Sequence, residues 1–337
     1  MSKKEYQYNH FVPQFYLRKF SNNKKNIGIY RLNTKEFIPN AAIKSVGGRD
    51  FLYGKDGFLE KWFSELETIW SKILGNIIEN EEIPNNSEDY IYLLMFIYLS
   101  DIRTAQVADY QNALLQEYSE FIIKNDRRFE NSNLDPKKIE YTIPNLVNIE
   151  IMPNIINNSM KDLYLFILKN NSEIDFITSD CPVVKYNLLF NERNYIRNYG
   201  YQQMGFQCFI PISNKLCLCL MDPIPYNIKC TDTGIINLNN SNLVFELNKL
   251  FVENSDEVIF FSKKYDENSI KRLIKSKPIV KKQKVHKFGT DKNCVIAYES
   301  KSVHIDIKMP YFKVRKEFKR APFPLHSAGP LRPSTEK

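Results

Sequence analysis

The chain has 337 residues, which allows one large domain or two modest ones and is short for three. A composition of 43% hydrophobic and 26% charged residues excludes a disordered polymer, and only 11 glycines exclude collagen-like or glycine-linker architectures. The 47 Lys and Arg against 39 Asp and Glu leave a formal charge of +8, a mild bias toward polyanions that falls short of a dedicated nucleic-acid binder.

In chain order, the opening MSKKEYQYNH is polar and has no apolar run of signal-peptide length. Up to about Phe51 a short helix, a strand pair and turns are expected. Pro13 suits a first helical turn, where its missing N–H costs nothing, and Phe15, Tyr16, Leu17 and Phe20 give that helix an apolar face. Residues 27–32 and 36–38 read as strands joined at Asn33 and Thr34.

From about Gly57 to Lys169 the chain reads as helical. Leu59, Trp62, Phe63, Leu66, Ile69, Trp70, Ile73 and Ile77 recur at three- and four-residue steps. A second helix is expected to start with Ser87 as its N-cap, to carry Glu88 and Asp89 in its first turn, and to run to about Ile123 with a break near Ser100. Within it, the greasiest run, residues 90–99, is too short for a bilayer core of roughly 30 Å. Residues 131–136 read as a loop and 145–168 as a further helix.

From about Glu173 the period changes. Residues 174–178, 183–186, 207–212 and 216–221 have strand length, 241–254 reads as a helix, 257–261 as a strand and 267–275 as a helix. Late strands are expected at 284–288, 294–298 and 303–307. The tail, residues 321–337, carries Pro322, Pro324, Pro330 and Pro333 and no Asn or Ile, and reads as disordered or artificially appended. The expected fold is α+β, a helical middle region packed on a C-terminal mixed or antiparallel sheet. Residues 1–320 would form one unit, with a helical lobe at about 57–169 and a sheet-containing lobe at about 170–310 that takes in the N-terminal segment.

Several polar clusters can carry chemistry. In HFVPQFYLRKF, residues 10–20, Gln14 and Arg18 are four apart on one helix face and His10 lies just before the helix start. Together they could bind an anion at the positive helix end; equally, Gln14 and Arg18 could be solvated and His10 could cap a turn. In FITSDCPVV, residues 176–184, a strand ends in a tight turn, where Ser179 and Asp180 are either site residues or the makers of a structural Asx-turn. Glu60 and Glu67, seven apart, face nearly the same way and could hold a divalent metal, divide acid and base roles, or pair with Lys61 and Lys72 in solvent. Arg103, after an apolar helical run, needs a carboxylate or a bound anion if that helix is buried.

Other patterns exclude more than they suggest. Cys208, Cys217, Cys219 and Cys230 lack paired C-x2-C knuckles, so a zinc site is not expected, and Cys217 and Cys219 share one face of a strand. There is no P-loop and no G-x-S-x-G elbow. Of His10, His286, His304 and His326, only His10 has a polar, specific context. Basic runs at residues 271–287 and 313–320 read as solvated faces or as a phosphate-contacting surface. With no secretory signal, the six cysteines are expected to be reduced thiols in a cytoplasm. Richness in Asn, Lys and Ile fits a low-GC bacterium.

At HFVPQFYLRKF the chain resembles the opening signature of the bacterial Domain of Unknown Function 4238 family. Asp50-Phe-Leu-Tyr53, the spaced Glu60 and Glu67, Arg103-Thr104, the Thr-Ser-Asp-x-Pro turn at residues 178–182, Pro211-Ile-Ser213 and Leu247-Asn248 follow in the family's order, over roughly residues 8 to 265. Cys181 stands where the family often has Asn, and Ile212 where Leu is more usual. The resemblance implies a bacterial cytoplasmic protein of mixed fold, and it raises His10, Arg18, Arg103, Ser179, Asp180 and Asn248 as site residues.

The reading that follows is a nuclease- or hydrolase-like enzyme acting on a phosphate-containing substrate, nucleic acid or nucleotide, in a defence or toxin setting. Arg18 and Arg103, with Gln14 and Asn248, would hold substrate. His10 would act as general acid or base beside Ser179 and Asp180, with Asp180 orienting it or binding a divalent ion and Glu60 and Glu67 as reserve ligands. The competing expectation is a non-catalytic sensor or binding module.

Overall fold

A computed structural model describes residues 8–193, 199–275, 285–290, 293–298, 307, 309–320 and 331–333. β1 (Tyr8–His10) leads into one helical turn, α1 (Gln14–Leu17), directly after Pro13. The hairpin of β2 (Asn26–Arg31) and β3 (Glu36–Ala42) follows, its turn closed by Lys35 in the left-handed region at φ 57°. β4 (Gly48–Asp50) then pairs antiparallel with β1 and sets Gly48 opposite His10.

α2 (Phe58–Asn80) buries Leu59, Phe63, Leu66, Trp70, Ile73, Leu74 and Ile77, the stripe its period predicts. α3 (Ser87–Ile102) is capped by Asn86 rather than Ser87, because the Asn86 side chain accepts the Asp89 N–H at 2.8 Å. The break expected near Ser100 falls at Arg103 and Thr104. Thr104 caps α4 (Ala105–Asn125), and the two helices meet at 59°. Among the described residues no single helix is long and apolar enough to cross a membrane.

The helix expected over residues 145–168 divides. α5 (Leu146–Glu150), α6 (Met152–Ile155) and a π-helical turn over Ile156–Met160 end it, and β5 (Tyr164–Asn170) follows. Leu165, Phe166, Ile167 and Leu168 are all buried. A strand covered on both faces loses the period-two signature and reads like a buried helix.

The remaining elements are β6 (Thr178–Ser179), β7 (Val184–Tyr186), α7 (Leu188–Arg193), β8 (Gln207–Pro211), β9 (Leu216–Met221), β10 (Tyr226–Ile228), β11 (Ile235–Leu238), α8 (Ser241–Asn254), β12 (Val258–Phe261), α9 (Glu267–Ile274), β13 (Val285–Thr290), β14 (Asn293–Tyr298), β15 (Phe312–Val314) and α10 (Lys316–Arg320). The run at residues 174–178 is strand only at its end, in β6. β10, β11 and β15 span three or four residues each, too few for a periodic signal. Residues 303–306 of an expected late strand and 276–284 of the basic run lie outside the described residues.

Helices and sheets are both present, so the class is α+β. Strands β11-β5-β9-β8-β7 form a five-stranded mixed sheet in which only the β11–β5 pairing is parallel. Strands β3-β2-β12-β6 form an antiparallel sheet that sets Arg31 opposite Val258. The sheets are therefore not C-terminal alone, since the N-terminal hairpin completes one and β5 the other. On β9, Leu216, Leu218 and Leu220 join a core built with α1, α2 and α3, while Cys217, Cys219 and Met221 join a second core with α8 and α9. Burial pushes the Cys208 and Cys219 thiols up, so they stay protonated and pack as small hydrophobes.

Within the tail expected to be disordered or artificially appended, residues 331–333 are described and make contacts with the body of the chain. Leu331 bridges to Gln203, and the Arg332 side chain is only 3% exposed.

Gly28 permits the β2–β12 pairing. A Cβ there would stand 2.3 and 2.5 Å from two ring carbons of Phe261 and 3.0 Å from its carbonyl oxygen. Gly28→Ala is therefore expected to lower stability by about 1–3 kcal/mol, measured by urea unfolding. An unchanged midpoint would mean that the Phe261 ring simply moves aside.

Candidate functional site

α1 and the first half of α2, with His10 at the end of β1, enclose a cleft of about 560 Å³. It is lined by His10, Gln14, Phe15, Arg18, Glu60, Phe63, Ser64, Glu67, Thr68, Ser71 and Lys72. The sequence builds it simply. Pro13 starts α1 so that Gln14 and Arg18 project on one face, where Arg18 Nη2 donates to Gln14 Oε1 at 3.1 Å. Glu60, Ser64, Glu67 and Ser71 follow steps of four, three and four along the opposing face of α2.

The titratable groups are tuned in opposite directions. His10 Nε2 lies 3.1 Å from the Lys44 carbonyl oxygen. A carbonyl only accepts, so Nε2 carries the hydrogen, and in the neutral ring Nδ1 is the basic nitrogen. Burial lowers the His10 pKa, the Lys44 bond opposes this, and Arg103 and Arg18 add to the lowering. Glu60 is pushed up by burial, against a 3.0 Å hydrogen bond from Asn9 Nδ2. Glu67 is pushed up by burial and held back by Arg103. Neutral imidazole and carboxyl groups displaced toward neutrality thus share one cleft, the condition for proton transfer in both directions.

Arg103 does not line this cleft, contrary to its expected role as a substrate contact. Its side chain is fully buried behind Glu67, to which Nη1 donates at 3.1 Å. The rings of Phe63 and Trp70 lie 4.8 and 5.8 Å from the guanidinium carbon. Nε and Nη2 have no hydrogen-bond partner among the described residues. Arg103 acts on the cleft from behind, through its bond to Glu67, its packing on Phe63 and its charge on His10.

Ser179, Asp180 and Asn248 lie elsewhere and act on the backbone. Ser179 Oγ donates to Cys181 O at 3.0 Å and accepts from Cys181 N at 3.2 Å. Asp180 Oδ1 accepts the Asp256 N–H at 2.9 Å, and Oδ2 accepts those of Glu257 and Val258 at 2.6 and 3.0 Å. Its oxygens thus anchor the start of β12, and it borders a separate hollow of about 110 Å³ that does not include His10. Asn248 Nδ2 donates to Asp175 O and to Tyr265 Oη, both at 2.9 Å, and its Oδ1 accepts Ile177 N–H at 3.1 Å, which ties α8 to the sheet. Asp180→Asn, which replaces one acceptor oxygen with a donor facing backbone N–H groups, is expected to cost about 2 kcal/mol, read as a lower urea midpoint with unchanged slope.

Buried Tyr16 ties three of these segments together. Its hydroxyl donates to Pro211 O at 2.6 Å and meets Thr178 Oγ1 at 2.7 Å, joining the HFVPQFYLRKF string to the Thr-Ser-Asp-x-Pro turn and to Pro211-Ile-Ser213. One string therefore serves two ends, with Tyr16 fixing the fold while His10, Gln14 and Arg18 face the cleft.

Asn9, Ser64, Thr68 and Ser71 were not singled out from sequence. The four-three-four spacing shared with Glu60 and Glu67 was the available signal for Ser64 and Ser71. Asn9 had none, since its role is to bridge Glu60 and the Tyr53 N–H, the latter at 3.1 Å. Glu60 and Glu67, the expected reserve metal ligands, each accept a side-chain donor on one oxygen, Glu60 from Asn9 and Glu67 from Arg103. Among the described residues no three His, Cys, Asp or Glu side chains are placed to hold a metal ion.

This cleft and the Tyr16 junction both lie within the part of the chain matched by the model of the family described as Protein of unknown function (DUF4238), residues 8–265, and the chain belongs to that family. No curated protein and no solved structure matches the chain.

Proposed function

We infer that the cleft is the active site of a hydrolase-type enzyme acting on a phosphate-containing small substrate, of which a nucleotide fits best. What carries the reading is that His10, Gln14, Arg18, Glu60 and Glu67, drawn from two segments of the chain, line one cavity. Its size falls in the range of small-molecule sites, roughly 300–1,000 Å³. Arg18 and Lys72 supply cations to an anionic group, Arg18 with a planar fork suited to phosphate oxygens. His10 Nδ1 accepts a proton from the attacking water, and the Glu60 carboxyl, oriented by Asn9, gives one to the leaving group. A bacterial, cytoplasmic setting and a role in defence or as a toxin rest on the family resemblance alone.

The test is a turnover screen of nucleotides and short oligonucleotides with the whole chain, beside Arg18→Ala. Turnover with a KM raised about tenfold or more in Arg18→Ala, from loss of a charge-assisted contact, supports the reading. Saturable nucleotide binding without turnover would instead favour a binding module, for which the His10–Lys44 bond is the supporting feature. Neither binding nor turnover would discard the phosphate substrate.

A further inference from the structure

Of the described residues 331–333, only Arg332 sends its side chain into the body of the protein. Nη1 donates to Asp162 Oδ2 at 2.6 Å, and Nη2 donates to the carbonyl oxygens of Ser159 and Tyr201 at 2.5 and 2.9 Å. Two backbone links lay the segment alongside residues 202 and 203, since Arg332 N donates to Gln202 O at 2.8 Å and Leu331 bridges antiparallel to Gln203. The neighbours stay outside, with Leu331 57% exposed while the Arg332 side chain is 3% exposed. Recognition therefore rests on one guanidinium and a short stretch of extended backbone.

The receptor is preformed by the fold. The π-helical turn carries Ser159, Asp162 stands just before β5, and Tyr201 is packed against Tyr98 and Phe206 with its hydroxyl on Asp101. Two carbonyls and a carboxylate set around a planar fork match arginine and do not match the compact ammonium of lysine.

We propose that Ser159, Asp162 and Tyr201 form a peptide-binding site specific for an arginine in an extended segment, filled in cis by Leu331–Arg332–Pro333 and open to the same sequence presented in trans. The tethered segment competes at an effective concentration of about a millimolar, so the site shows itself when the tethered arginine is removed.

The probe is a fluorescein-labelled peptide with the sequence of residues 329–334, Gly-Pro-Leu-Arg-Pro-Ser, titrated by anisotropy into the full chain. Arg332→Ala is expected to bind it saturably and at least about tenfold more tightly than wild type. A peptide with lysine for arginine should bind Arg332→Ala at least about tenfold more weakly, and adding Asp162→Asn should remove binding. No binding by folded Arg332→Ala, or equal binding of both peptides, overturns the proposal. If Arg332→Ala fails to fold, hydrogen exchange of wild type decides. Excess arginine peptide must speed exchange of the Arg332 amide while the lysine peptide does not, and an amide equally protected in both cases overturns the site.

Discussion

Glu67→Ala is expected to destabilise the protein by about 3–5 kcal/mol, and by more than Arg103→Met does. The asymmetry follows from burial. The Arg103 side chain has no exposure and, among the described residues, Glu67 is the one carboxylate in ion-pair contact with it, whereas the Glu67 side chain is 26% exposed. Removing Glu67 strands a guanidinium in the core with Nε and Nη2 already unpartnered, and the Phe63 and Trp70 ring faces compensate only in part. Removing Arg103 leaves a carboxyl that can hydrate at the cleft or take up a proton. The double variant Glu67→Ala/Arg103→Met should therefore be more stable than Glu67→Ala alone in urea unfolding. If Arg103→Met costs as much as Glu67→Ala, packing of the guanidinium outweighs its charge. The pH dependence has a definite sign. Glu67 is raised above its ordinary 4.5, by burial against Arg103, so the folded state binds more protons there and stability falls as pH rises from about 4.5 through the raised value. Glu67→Gln should flatten that limb.

What the sequence disclosed and what it hid divide along physical lines. α2 is legible because it buries one stripe, and a one-sided element writes its period into the chain, while the β2–β3 hairpin is legible from two short apolar runs joined at Asn33 and Thr34. β5 is covered on both sides, so its apolar run carries length but no period and reads like the end of a helix. Half of the site was legible for the same reason. Gln14 and Arg18, like Glu60 and Glu67, are spaced to share a helix face, and helix geometry brings each pair to the cleft. Asp180 stays ambiguous in the sequence because a carboxylate in a tight turn looks alike whether it serves a substrate or three backbone N–H groups. Only the position of residues 256–258, far along the chain, distinguishes the two cases. For Arg103 the sequence leaves a carboxylate or a bound anion open as the partner, and the fold supplies the carboxylate of Glu67.

His10→Gln is expected to lower kcat by about 10²–10⁴ with little change in KM, the loss that follows removal of a general base. The amide keeps a donor for the Lys44 carbonyl but cannot take up a proton near neutrality, so the substitution separates chemistry from packing. The proposed mechanism requires neutral His10 and protonated Glu60. Burial, with Arg103 and Arg18, holds His10 below its ordinary 6.5, so the rising limb of the rate profile lies below that pH. Burial holds Glu60 above its ordinary 4.5, so the falling limb lies above that value. The rising limb should vanish in His10→Gln and the falling limb in Glu60→Gln. Stability supplies a second readout that needs no substrate. A histidine with a depressed folded pKa binds fewer protons when folded, so its effect is absent above pH 6.5 and stability falls as pH drops through 6.5 toward the depressed value. That slope should flatten in His10→Gln. A flattened slope with turnover intact would leave His10 as a tie between β1 and Lys44 and move the chemistry away from this cleft; loss of both assigns it the proton.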